Sequence, residues 1–504
     1  MKRIFFKYIV IVALTATVMS SCRKLEEEVY SSVFTDNFYQ TSQDAEAALT
    51  AAYGALSYLY WGPGVVLCSD FSADQTYPRP VVGRNTLTLF SYDVDYSTQK
   101  SFSRAQQEGP LGIWQYSYKG IENANWVIEK VPAIKMDPTR RDAIVGEALF
   151  LRAFYHFTLT KSFRDVIIKT SPSKDESAIA LPASPQADVF KQIYKDLDDA
   201  IAKLPSYSGS SPEGRPAKEV AIGLYAKAAL YAGDWAIAKE KATLVINSGK
   251  YTLMPNILDV FDVEKEDMAR TEIMFAFESE SLPNNVNSYN WMMGLCGPPG
   301  NAGKEYGNTT YGSMFAYQGF YDSFDPEDKR RLLLATSYIN RKNEVVPQNK
   351  ITPITPKGVL IRKYRDPQSI GPISRNNVPI LRLSDIYLIA AEAEFRLNGS
   401  TPAALEFFNK VRRRAFGQNM TLPSVYDMIT LSLNTILQER SWELFAEGDR
   451  WYDLTRTNTF LTVIPAAVND VFPVRTPLAK HRYFPIPQDE IRVNPNIKQN
   501  PDWQ

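Results

Sequence analysis

"EVAIGLYAKAALYAGDWAIAKEKATLVINSGKY" (residues 219–251) holds two apolar-periodic stretches joined at Gly233-Asp234 and closed by Gly249. Apolar residues recurring every three or four positions predict an amphipathic helix on each side of the break. A glycine just past the last periodic residue is a common way to end one. "DIYLIAAEAEFRLNGSTPAALEFFNKVRRRAFG" (385–417) repeats the plan, with its break at Asn398-Gly399, Pro402 at the start of the second helix and Gly417 at its end. Ala226, Ala229, Ala391 and Ala393 are small enough to let paired helices approach closely. A helical hairpin that cannot bury its apolar face alone must stack on another. With the periodic segments 140–163 and 188–204 added, the expectation is a mainly α fold of about four stacked hairpins with little strand.

The plan resembles the tetratricopeptide arrangement, and further helices extend it. Ser42 is expected to cap a helix whose first turn carries Asp44 and Glu46, with Ala48, Leu49, Ala52, Tyr53 and Leu56 at helical spacing. Another runs from about Ile113, with Trp114, Tyr118, Ile121 and Ile128 on one stripe. "EALFLRAFYHFTLTKSF" (147–163) is apolar nearly all round, which marks a central buried helix and makes His156 a hydrogen-bonded core residue.

Two segments break the helical pattern. "PNNVNSYNWMMGLCGPPGNAGKEYGNTTYGSMFAYQGFY" (283–321) carries too much Gly and Asn for a long helix, and a shorter aromatic stretch occupies 58–96. Long irregular loops in compact domains are often functional, so both are candidate ligand loops. Their candidate contacts are Trp61, Asp74, Tyr77 and Tyr92 in the first and Tyr289, Trp291, Tyr306 and Tyr311 in the second, with Trp291 foremost. Indole and phenol rings stack on the C–H face of a pyranose while Asn, Asp and Arg bond its hydroxyls. The same mixture suits a peptide. Cys68 and Cys296 lie one in each segment, and a disulfide between them would make the loops neighbours.

Composition narrows the partners. Lys+Arg and Asp+Glu are both 56 in 504 residues, so the basic surplus that phosphate binding requires is missing and nucleic acid is excluded. The two histidines, His156 and His481, have no second plausible ligand near them in sequence; neither a metal, a cofactor nor a histidine triad is expected. Lys2, Arg3 and Lys7 precede an apolar run, Ile9 to Met19, too short to span a bilayer, which reads as an export signal. Within "VMSSCRKLEEEV" (18–29), Ser20-Ser21-Cys22 resembles the lipobox of bacterial lipoproteins, although Met19 stands where leucine is usual. The resemblance implies a signal peptide over 1–21, lipidation at Cys22 and a tether over 22–40; because no low-complexity linker divides the rest, one domain is expected over 41–504. The glutamates Glu26 to Glu28 resemble the signal that directs such lipoproteins to the outer face of the outer membrane.

"LRLSDIYLIAAEAEFRLNG" (381–399), "ILQERSWELFAEGDRWYDLTR" (436–456) and "YFPIPQDEIRVNPNIKQNPDW" (483–503), with the helix at 147–163 and "DAEAALTAAYGAL" (44–56), are similar to motifs of the SusD/RagB family over essentially the whole chain. That resemblance implies a tetratricopeptide-like scaffold, a lipid-anchored and non-catalytic nutrient-binding protein of the outer membrane, and a TonB-dependent (SusC-like) transporter as partner. Its ligand is expected to be an oligosaccharide, with peptide as the alternative. Glu439, Glu443 and Glu447 lie at spacing four and invite a glycosidase reading. Arg440, Arg450, Asp453 and Arg456 among them favour structural ion pairs instead, Glu447 with Arg450 in particular. "PIPQDEIRVNPN" reads as a proline-stiffened strap.

Overall fold

Thr41, not Ser42, caps the first helix, α1 (Ser42–Trp61). Its hydroxyl accepts the Asp44 N–H at 3.2 Å while its own N–H donates to the Asp44 carboxylate at 2.8 Å. Such a reciprocal box needs a carboxylate or amide three residues after the cap; from Thr41 that residue is Asp44, from Ser42 it is Ala45. The computed structural model describes residues 38–62, 64–79, 84–97, 109–174, 180–279, 290–301, 303–351, 358–372, 374–472 and 476–504. Cys22 and Tyr289 lie outside the described residues.

From α1 a continuous row of helices follows. α1 packs on α2 (Pro110–Lys130), α2 on α3 (Pro138–Phe163), α3 on α4 (Gln186–Lys203) and α4 on α5 (Lys218–Ala232). The row continues from α5 to α6 (Trp235–Ser248), to α7 (Leu383–Asn398) and to α8 (Pro402–Ala415). Taken in pairs these are four stacked hairpins, as the periodicity predicted. Two of the hairpin breaks need a residue at positive φ, supplied by Gly233 at +84° and Gly399 at +78°. None of the described helices is long and apolar enough to cross a membrane.

α3 is buried over almost all of its length after Ala143, and His156 lies at its centre. The His156 Nδ1–H donates to the Arg152 carbonyl at 3.0 Å, leaving Nε2 to accept the Lys169 N–H at 3.3 Å. Burial, aided by the Arg152 guanidinium, pushes the imidazole from its ordinary 6.5 down to about 3. Because the unfolded chain takes up this proton first, stability is complete above pH 6.5 and is lost as pH falls toward 3. The slope from this group is about 1.4 kcal/mol per pH unit. We expect urea midpoints to fall between pH 7 and pH 5, and His156→Gln to flatten that decline; an equal decline in the variant would refute the assignment.

Both segments read as irregular loops contain short regular pieces. The first holds the helix Gly64–Asp70, the strand β1 (Thr76–Pro78) and the helix Arg84–Leu89; the second holds the helix Met292–Cys296, the strand β3 (Met314–Ala316) and the helix Gln318–Asp322. β1 and β3 pair antiparallel, with Tyr77 opposite Phe315, and between them in sequence β2 (Ile273–Phe277) pairs with β4 (Val378–Arg382). The two loops are therefore neighbours through main-chain pairing. Cys68 and Cys296 are both buried and are not joined by a disulfide. The C-terminal strap is stitched by its own side chains: Gln499 brackets the Ile486 N–H and carbonyl at 2.8 Å each, and the Trp503 indole donates to the Tyr483 carbonyl at 2.9 Å.

Candidate ligand-binding site

Trp61 closes α1, Trp291 opens the helix Met292–Cys296, and Tyr311 lies just before β3. Chain positions this far apart form one aromatic corner. The Trp291 and Tyr311 rings stack at 5.5 Å and 18°, and Trp61 meets Trp291 edge-on at 5.8 Å and 87°. All three are half-buried, unlike the aromatic side chains of the surrounding core.

The backbone beneath them is tightly held. Asn290, fully buried, accepts the Met292 N–H at 2.9 Å and donates to Ser279 Oγ and the Asn376 carbonyl at 2.8 and 2.7 Å, which fixes the residue preceding Trp291. Residues 311–313 are laced to the short helix by Tyr311 N–H to the Gly294 carbonyl (2.7 Å), Gly312 N–H to Gly297 (2.9 Å) and Ser313 N–H to Leu295 (2.9 Å). A Cβ at Gly294 would come within 3.0 Å of the Tyr311 ring, so a glycine there lets the ring lie close against the helix. Arg79 adds a cation: its Nη1 donates to the Tyr311 carbonyl at 3.2 Å and its N–H to the Ser313 carbonyl at 3.0 Å. Ordered aromatic faces beside a guanidinium and backbone amides suit a ligand with both apolar C–H faces and hydroxyls.

The other candidates are placed differently. Asp74 accepts from Arg450 through both oxygens at 2.7 Å each, so it is a structural ion pair. Tyr77 is fully buried against Phe315, Tyr317 and Phe472. Tyr92 packs between Tyr96, His481 and Trp503, and Tyr306 is fully buried. Burial corrects the reading of these three rings: they support the loops from within and present no face to a ligand. Composition marks a segment as aromatic but does not say which rings turn outward. Asn290 and Gly294 escaped the sequence reading because a buried amide and a close-packed glycine look like ordinary loop residues.

The acidic motif is sealed. Glu443 accepts from Arg414, Arg382 and Arg330 at 2.6, 2.9 and 3.3 Å, and Glu439 pairs with Arg330 at 2.8 Å and Arg412 at 3.1 Å. Burial alone would raise the Glu443 carboxyl, but the three guanidiniums outweigh it and hold it well below the usual carboxylate range. The helix α9 (Leu433–Leu444) stops before Glu447, which bonds Arg382 at 2.8 Å and Lys363 at 2.6 Å. The expected Glu447–Arg450 pair does not form, because Arg450 turns to Asp74. A general acid needs a raised pKa and access to substrate. Glu439 and Glu443, at 0% and 1% exposure, lack access.

Comparison with known proteins agrees with this architecture. The profile of the "SusD family" matches residues 271–503, and that of "Starch-binding associating with outer membrane" matches 71–230. The chain belongs to the SusD family. A SusD-like protein P2 of Formosa agariphila is 25% identical over 98% of this chain and 99% of its own. Among solved structures, this SusD-family fold is similar to a laminarin-binding SusD-like protein, with TM-score 0.74 and 23% identity over 92% of this chain and 100% of that one. It is also similar to surface glycan-binding protein A from Bacteroides thetaiotaomicron in complex with laminarihexaose, with TM-score 0.71 and 21% identity over 92% and 100%.

Proposed function

We propose that this SusD-family protein is a non-catalytic, lipid-anchored receptor of the outer-membrane surface that captures an oligosaccharide and passes it to a TonB-dependent transporter. The observation that carries the proposal is the Trp61–Trp291–Tyr311 corner with Arg79 beside it. Carbohydrate recognition by similar folds supports it, since two of them are described as binding laminarin or laminarihexaose. The sealed carboxylates favour binding over hydrolysis. Acylation at Cys22 would tether the body to the membrane without crossing it, and the family description "associating with outer membrane" favours that location.

The test is affinity electrophoresis of the chain from Arg23 onward in gels containing laminarin, starch and other polysaccharides, with the mixtures assayed for new reducing ends. Retardation by at least one glycan without new ends is expected. New ends would make the protein an enzyme. Failure with every glycan, together with binding of peptides, would replace sugar by peptide as the cargo. Copurification of a transporter with the tagged, acylated chain tests the partner, and a chain carrying Cys22→Ala is expected to leave the membrane fraction.

A further inference from the structure

The aromatic corner carries a positive charge that nothing else in its wall balances. The bonds made by Arg79 go to main-chain oxygens, from Nη1 to the Tyr311 carbonyl at 3.2 Å and from its N–H to the Ser313 carbonyl at 3.0 Å. Among the described residues no carboxylate pairs with this half-buried side chain. The acids of the first loop are placed elsewhere. Asp70 is fully buried, Asp74 is held by Arg450, and Asp93 and Asp95 flank Tyr92, which packs on the C-terminal strap through Trp503. Main-chain acceptors are occupied as well: the carbonyls of Gly294, Leu295 and Gly297 accept the N–H groups of Tyr311, Ser313 and Gly312. Beyond Tyr311 the positive charge continues. Arg341 donates to the Gly307 carbonyl at 3.2 Å and to Asn308 Oδ1 at 3.4 Å, and Arg362 and Arg365 share the single carboxylate of Glu305 at 2.7 and 3.2 Å. Asn308 lies three positions before Tyr311, at most about 11 Å along the chain. Glu344, the acid of the hairpin that carries Arg341, accepts from Asn340 at 2.9 Å.

We propose that the glycan captured at this corner is acidic, with a carboxylate or sulfate bonded by the Arg79 guanidinium while the sugar ring that bears it lies against Trp291 and Tyr311. The inference rests on the reading of the corner as a sugar site and adds the chemical class of the sugar. A hydroxyl both donates and accepts, so a site for a neutral sugar needs acceptors as well as donors; a carboxylate or sulfate only accepts. Apart from the Tyr311 phenol, the side chains of the corner carry only donors, a guanidinium and two indole N–H groups. The planar fork of a guanidinium matches a carboxylate or sulfate through two parallel charge-assisted bonds. Because Arg79 has no carboxylate partner, an entering anion breaks no existing ion pair. The cations near Asn308 extend the same field along the loop, which favours a chain bearing more than one negative group.

The experiment is titration of the chain from Arg23 onward, followed by tryptophan fluorescence, with two matched pairs: polygalacturonate against its methyl ester, and sulfated laminarin against laminarin. The first pair reports a carboxylate and the second a sulfate. At least one acidic member is expected to bind at least about tenfold more tightly than its neutral twin, and that preference should shrink as salt is added. Arg79→Gln is expected to remove the preference, a loss of at least about tenfold in acidic affinity, and Arg79→Lys to keep part of it. Lys191→Gln, which takes the same charge from the exposed face of α4, should leave it intact. A urea midpoint measured for each variant separates lost binding from lost folding. Equal binding within both pairs, tighter binding of the neutral members, or a preference that survives Arg79→Gln would overturn the acidic assignment and leave the sugar site standing. If neither pair binds, the glycan that retards the parent in affinity gels decides: an acidic one supports the assignment, a neutral one overturns it, and none at all removes the sugar site on which it rests.

Discussion

Glu443→Gln is expected to destabilise the fold by about 3–5 kcal/mol, the largest single-residue effect anticipated here. The carboxylate is 1% exposed and neutralises guanidiniums from three separate parts of the chain: Arg330, Arg382 in β4 and Arg414 in α8. Glutamine keeps the shape and removes the charge, so the arginines are left facing one another where water cannot solvate them. Glu272 and Glu447 still hold Arg382, Glu272 holds Arg414, and Asp328 and Glu439 hold Arg330, which limits the loss but leaves the network one negative charge short. Because the network joins β4, α8 and α9, its failure loosens the attachment of the C-terminal third to the helical row. Urea titration would show a lower midpoint at unchanged slope. A midpoint within error of the parent would show that the network is dispensable. Swapping a whole pair for apolar residues is a different experiment, since a well-packed replacement can be neutral.

Trp291→Ala is expected to weaken glycan binding by roughly tenfold to a hundredfold, the loss typical of an aromatic anchor at the centre of a contact surface. Trp291 touches both other rings of the corner, stacking on Tyr311 and lying nearly perpendicular to Trp61. Removing it takes away one face and leaves the remaining two without mutual support. Trp291→Phe should retain part of the affinity, because a smaller ring still offers a flat apolar face. Tyr77→Phe keeps the buried ring and should leave binding unchanged, since Tyr77 packs inside against Phe315 and Tyr317. Affinity electrophoresis with the glycan that retards the parent distinguishes these cases. Full retention by Trp291→Ala would move the site away from the corner.

Much of the scaffold is legible in the order of the residues. The hairpins at 219–251 and 385–417 declared themselves through apolar periodicity, their Gly233 and Gly399 breaks, and Pro402. These are local signals, because a helix and its ends are specified by residues within a few positions of one another. The cap of α1 was misplaced by one residue for an equally local reason: Thr41 and Ser42 are both good caps, and only the geometry of Asp44 decides between them.

The candidate site was legible only as two aromatic segments. Trp61, Trp291 and Tyr311 were named together with Asp74, Tyr77, Tyr92 and Tyr306, and nothing in a linear composition separates a ring that faces outward from one that fills the interior. That separation depends on β1 pairing with β3, which buries Tyr77 against Phe315, and on Asn290 and Gly294 holding Trp291 and Tyr311 in place. Ion pairing followed the same division. The sequence showed that charges cluster around 439–456, but Glu447 found Arg382 and Lys363, and Arg450 found Asp74, instead of each other. Helix periodicity and chain breaks are properties of neighbouring residues and were determined by the sequence alone. Which side chains meet, which are sealed from water and which remain to touch a ligand are properties of segments tens to hundreds of residues apart, and only the packed tertiary structure decides them.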